Sequence, residues 1–272
     1  MLAAPERVER LATVARVTEP YYRDLGDGRF ASTVHAQGAW NAHEQHMAPA
    51  SGLLTHVIDR EFGREGLRIA RLSFEIYGII HAGEFEVRTQ VLRPGRTIEL
   101  VQADMICQGR TAISARAWLL ATSDTRDLAA VEDEAMPGVE ESTAWDGMSP
   151  WPGGFIDSIE FRTIAGSRPG ARRSWLRSRH PLVDSGDVSP LAHLVRLVDS
   201  TNGLSARVGP DELLFPNVDL QIHVYRLPTG DWLGIDGHQS YGPDGVGLTT
   251  TVLNDEGGPF GRAEQILTLR RR

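Results

Sequence analysis

Apolar and polar residues alternate through much of the chain, and the alternation changes period at definite points. Leu67 to Tyr77 (LRIARLSFEIY) ends with Leu72, Phe74 and Ile76 on one face, the period-two signature of a half-buried strand. Glu84 to Leu92 follows Ala82-Gly83, and a turn at Arg93-Pro94-Gly95 leads into Thr97 to Cys107. That strand and Thr111 to Ala121 form a hairpin closed at Gln108-Gly109-Arg110. Upstream, Leu53, Leu54, Val57, Ile58 and Phe62 fall at helical spacing and predict a helix over Pro49 to Phe62, with the proline in its first turn. Tyr21 to Ala36 supplies one or two short strands around Asp27-Gly28.

The pattern lapses from about Thr122 to Gly154, where acidic residues mix with Pro, Gly and Ser without a period, as in a linker. Then the order returns. Phe155 to Ile164 and Arg172 to Arg179 read as strands, and Ser189-Pro190 caps a helix running to about Gly203. Four strands follow, at Asn217 to Arg226, Trp232 to Tyr241, Gly247 to Leu253 and Gly261 to Arg270. Leu72, Phe74 and Ile76 superpose on Val218, Leu220 and Ile222, and the Pro94 turn on the Pro243 turn. The halves therefore read as a duplication, each an antiparallel sheet with one long helix, which is an α+β chain.

Composition narrows what such a chain does. With 28 basic against 36 acidic side chains among 272 residues, the formal charge is −8, which argues against nucleic acid as partner. Cys107 is the only cysteine, so no internal disulfide forms, and it sits in an apolar strand pattern. The start, MLAAPERVERLATV, is charged throughout and reads as neither a secretory signal nor a membrane anchor. The expectation is a soluble cytoplasmic protein.

One charge stands out. In "LVRLVDSTNGLSARV", Asp199 lies among Leu and Val, where a carboxylate is costly unless paired or used. On a helical wheel Leu191, Leu194, Val195 and Val198 form a stripe that Asp199 borders and Asn202 enters, with Arg196 and Ser200 facing away. Gln265 likewise shares a strand face with Ala263, Leu267 and Leu269. Asn217 falls by parity on the more polar face with Asp219, Gln221 and His223, and only a strand start or a bulge would turn it inward.

These residues carry a resemblance. A sheet wrapped around a central helix, present twice, resembles the double hot-dog arrangement, and the C-terminal half resembles the type II acyl-CoA thioesterases through Asp199, "NVDLQIHVYR" and "GRAEQILTLR". The resemblance implies two antiparallel sheets, each wrapped around a helix: an N-terminal unit 1–121, a linker 122–154 and a C-terminal unit 155–272 bearing the catalytic residues. It places the family's aspartate on Asp199 and its glutamine on Gln265. The family's Thr or Ser falls on Asn217, a departure, although an amide both donates and accepts hydrogen bonds. Hydrolysis of acyl-CoA to free acid and CoA follows, with Asp199 as base and Gln265 and Asn217 orienting water. Backbone N–H groups at the start of the first helix, around His46, Met47 and Ala48, would hold the oxyanion, and Asn202 would border the acyl site. Such chemistry needs no metal or bound cofactor. Arg71, Arg172 and Arg173 are candidates for the nucleotide phosphates, and open sheet edges suit a homodimer or higher homo-oligomer.

Other patterns point elsewhere. His35, His43 and His46 lie near Glu44, but no His-Glu-x-x-His occurs. "SGDVSPLAHL" resembles the motif of MaoC-like enoyl-CoA hydratases: Asp187 and Pro190-Leu191 match, whereas the histidine position holds Ala192 and His193 comes one residue late. That shift rotates the side chain by about 100° on a helix. The hydratase is the alternative activity, and a non-catalytic acyl-binding protein the alternative class.

Overall fold

The computed structural model describes residues 18–272, so the N-terminal stretch read for targeting signals lies outside the described residues. The first half consists of β1 (Tyr22–Gly26), β2 (Arg29–Ser32), α1 (Met47–Phe62), β3 (Leu67–Ile76), β4 (Glu84–Arg93), β5 (Ile98–Cys107) and β6 (Arg110–Ala121). Two-residue β7 (Thr143–Ala144) and one-turn α2 (Gly154–Asp157) lead to β8 (Ile159–Thr163) and β9 (Ala171–Ser178). Then come α3 (Pro190–Val198), α4 (Thr201–Leu204), β10 (Leu213–Leu214), β11 (Asp219–Val224), β12 (Leu233–Tyr241), β13 (Val246–Asp255), β14 (Gly258–Thr268) and β15 (Arg270–Arg271).

Two separate sheets, one per half, were the expectation; thirteen of the fifteen strands among the described residues instead form one continuous sheet, ordered β1-β2-β4-β5-β6-β3-β11-β14-β13-β12-β9-β8-β7, and only the two-residue strands β10 and β15 pair apart from it. The seam between the halves is an ordinary antiparallel pairing of β3 with β11, in which Phe74 faces Leu220 and Leu72 faces Ile222. Since each of these strands would otherwise end its own sheet with unpaired N–H and C=O groups, joining them removes two open edges. The pairing is symmetric about Phe74 and Leu220, the residues that superpose in the duplicated sequence.

The two long helices lie against each other within the curve of the sheet. All residues from Met47 to Ile58 are buried. At the crossing Gly52 lies against Arg196, where a Cβ on Gly52 would come within 2.4 Å of the Arg196 Cβ. The Ser51 hydroxyl donates to the Val195 carbonyl across the same contact (3.1 Å). This corrects the wheel reading of α3. Arg196 is 1% exposed, because α1 covers the face that a single helix on a sheet would leave wet. Its guanidinium donates to the carbonyls of His193, His180 and Ser178. Ser200, also placed outward, is buried.

Two element boundaries differ as well. Phe155 to Asp157 form the turn α2 rather than the start of a strand. The helix expected to reach Gly203 stops at Val198, tightens as the Ser200 N–H donates to the Leu197 carbonyl, and resumes as α4. The tightening falls at Asp199. No helix among the described residues is long and apolar enough to cross a membrane.

Candidate active site

Asp199 caps the end of α3, 4% exposed, with polar groups from other parts of the chain around its carboxylate. Its Oδ1 accepts from Asn217 Nδ2 (2.8 Å), just before β11, and from Gln265 Nε2 (2.9 Å), on β14. Its Oδ2 lies 3.5 Å from Nδ1 of His46, the N-cap of α1. Three polar groups distant in sequence thus converge on one carboxylate.

Further bonds fix the amide orientations. Gln265 Oε1 accepts from the buried hydroxyl of Thr201 (2.6 Å), which turns its NH2 toward Asp199. Asn217 Oδ1 accepts from Asn202 Nδ2 (3.2 Å), and the Asn217 NH2 also donates to the Asp219 carbonyl (2.9 Å). Thr201 escaped the sequence reading; its signal was the polar run Asp199-Ser200-Thr201-Asn202 interrupting an apolar helix.

A bulge brings Asn217 inward. The register of β11 with β14 pairs Gln221 with Glu264 and Ile222 with Ala263. Carried back, it would set Asn217 opposite Thr268, yet Asn217 bridges Leu267. The extra residue is absorbed at Val218-Asp219: the Asp219 carboxylate takes the Ile266 N–H (2.7 Å), and Val218, inward by parity, is 43% exposed.

Burial dominates the electrostatics. It raises the Asp199 carboxyl to about 6, against the opposing pull of the Asn217 and Gln265 hydrogen bonds. Burial also lowers His46 to about 4, so its ring is neutral at pH 7. His46 Nδ1 accepts the Ala48 N–H (3.0 Å) and therefore carries no proton, so its 3.5 Å approach to Asp199 is a contact of a neutral ring and not an ion pair.

Asp199, His46 and Asn217 line a cavity of about 610 Å³ between the halves, with Met47, Tyr77 and Ile79 among its other walls. Gln265 does not reach it; it stands behind Asp199. Around the start of α1, the His46 N–H is spent on the Ala36 carbonyl and the Ala48 N–H on His46 itself. Pro49 has no N–H. Met47 N–H remains without a partner among the described residues and lies at the positive end of the helix dipole.

The other sequence candidates go elsewhere. His35 packs against His180 with tilted rings, centroids 3.9 Å apart, and His43 is exposed. Asp187 is exposed, and His193 pairs with Asp231 (3.2 Å), so the hydratase-like dyad does not assemble. Arg71 donates to Gln221, and Arg172 donates to the Leu204 carbonyl and lies over the Trp145 ring. Neither these arginines nor Arg173 line the cavity; Arg270 and Arg272 do.

Residues 129–269 match the family model of the acyl-CoA thioesterase C-terminal domain, and residues 36–120 match that of the N-terminal domain. The chain belongs to the acyl-CoA thioesterase family. It is accordingly a thioester hydrolase. Solved structures place this thioesterase in the hot-dog fold. A protein assigned as a thioesterase II from Thermobifida fusca is 20% identical, with TM-score 0.69 over 94% of this chain and 96% of that one. A conserved hot-dog protein of unknown function from Alicyclobacillus acidocaldarius is 13% identical, with TM-score 0.72 over 91% and 95%. An acyl-CoA thioesterase II from Mycobacterium marinum is 14% identical, with TM-score 0.66 over 92% and 95%. No curated protein matches this thioesterase.

Proposed function

We propose that this thioesterase hydrolyses acyl-CoA with Asp199 as general base, in a site shared by units 1–121 and 155–272. A water held between Asp199 Oδ2 and the second lone pair of Asn217 Oδ1 attacks the thioester carbonyl carbon as Asp199 takes its proton. The carbonyl oxygen becomes an oxyanion beside the Met47 N–H and the α1 dipole. On collapse the carbon–sulfur bond breaks, the proton on Asp199 passes to the sulfur, and free acid and CoA leave.

In this reading the two amides take different roles. Gln265 is a positioning residue, since its NH2 is spent on Asp199 and its carbonyl on Thr201. Asn217 stands where the family has a hydroxyl, and does both tasks: it donates to the base and faces the cavity. The observation that carries the reading is the buried Asp199 carboxylate, held by two amides and open to a cavity at a helix N-terminus.

The test is thiol release from a panel of acyl-CoAs. Asp199→Asn keeps the shape and the acceptor for both amides but cannot take a proton, and is expected to lose about 100- to 10,000-fold in kcat. A folded Asp199→Asn protein with more than a tenth of the wild-type rate would overturn the assignment.

A further inference from the structure

Asp199 stands on a wall between two chambers. The cavity of about 610 Å³ lies on one side; on the other is a chamber of about 40 Å³ walled by Met148, Trp151, Ile156 and Gly203. His46, Asp199, Asn217, Ala39 and Trp40 line both. A thioester held at Asp199 must send its two substituents in different directions, and two chambers meeting there give each its own.

Chemistry decides which takes which. Arg270 and Arg272 stand at the rim of the larger cavity, exposed and in no ion pair among the described residues, which suits the phosphates of CoA. The smaller chamber is apolar where Met148, Trp151 and Ile156, all buried, line it, and polar where Asp199, Ser200, Asn202 and Asn217 do. Trp151 is held by edge-on packing against Trp40 (centroids 5.0 Å) and Phe215 (5.5 Å). A space of about 40 Å³ has room for about three water-sized groups.

We propose that this small chamber, to which the segment between the two halves contributes Met148 and Trp151, receives the acyl chain and restricts the enzyme to short-chain acyl-CoA of about two to four carbons. The inference rests on the hydrolase reading above. Trp151 and Met148 set the floor of the chamber, and Gly203 keeps one side open, since a Cβ there would meet only Met148 Cε, at 3.4 Å. A methylene that does not fit costs about tenfold or more in kcat/KM.

The experiment measures kcat/KM for acetyl-, butanoyl-, hexanoyl-, octanoyl- and hexadecanoyl-CoA. The wild-type enzyme is expected to peak at acetyl- or butanoyl-CoA and to fall steeply by octanoyl-CoA. Trp151→Ala opens the floor and moves the optimum to hexanoyl- or octanoyl-CoA. Gly203→Ala, which suits a helix and fills the opening, lowers the ratio of butanoyl- to acetyl-CoA turnover. A wild-type optimum at octanoyl-CoA or longer overturns the inference while leaving the hydrolase reading intact. An unchanged profile in Gly203→Ala does so too, even if Trp151→Ala fails to fold. No thiol release from any member overturns the hydrolase reading and this inference with it.

Discussion

At the scale of single residues, the base we propose is a carboxyl that burial has made harder to ionise. A carboxyl raised to about 6 is charged at pH 7, yet gains more driving force for taking a proton than one near 4. The arrangement has a cost that can be read out. Because the folded state binds the Asp199 proton more tightly than the unfolded chain, the group's full stability is present below pH 3.8 and is lost as pH climbs through about 6. The loss is about 3 kcal/mol. Asp199→Asn removes that penalty while keeping an acceptor for Asn217 and Gln265, so it is expected to melt above wild type at pH 8, with the advantage shrinking toward pH 4; calorimetry across that range checks it. Gln265→Met is the complementary change. Removing a donor that favours the carboxylate moves the acid limb of the kcat profile to higher pH, and the stranded Thr201 hydroxyl costs about 1–3 kcal/mol of stability. A limb that stays in place would show that Gln265 does not act through the base.

Among the elements, the bulge before β11 decides whether Asn217 reaches the site. Asp219 maintains it by taking the Ile266 N–H that the shifted ladder leaves without a carbonyl. Asp219→Ala is expected to cost about 1–3 kcal/mol and to lower kcat more than it raises KM, whereas Asp219→Asn keeps an acceptor and most of the rate. Steady-state kinetics on the two variants separates these outcomes. The same strand shows what the sequence can disclose. Leu220, Ile222 and Val224 announce a buried face by simple alternation, and the helices by their spacing. A bulge slips the register by one residue and leaves no mark in a period-two pattern, so Asn217 reads as facing out. The Arg196 misreading has a similar source. A helical wheel assumes one dry face, and α3 is covered on two sides by partners far away in the chain.

Over the whole molecule, the duplication was legible because it repeats identifiable landmarks, notably Leu72-Phe74-Ile76 and Val218-Leu220-Ile222. That these landmarks would pair with each other and fuse the sheets was not, since alternation gives a strand's face and not its neighbour. Nor did composition reveal that the acidic segment after Ala121 carries Met148 and Trp151 into the site; aromatic residues in an otherwise polar stretch were the available hint. The proposed site is assembled across the seam, with His46 and Met47 from the first half and Asp199, Asn217 and Gln265 from the second. Separating the halves would bare the edges of β3 and β11, strip α1 from α3 and leave Arg196 facing water at the helix crossing. Neither half has a core that closes without the other. The enzyme is therefore expected to unfold in one cooperative transition, with coincident fluorescence and circular-dichroism midpoints, equal calorimetric and van't Hoff enthalpies, and activity lost at that same midpoint. Two resolved transitions would mean that each half folds independently and that the β3–β11 seam contributes little. Activity lost ahead of a single structural transition would instead locate the weakest contact at the cavity between the halves.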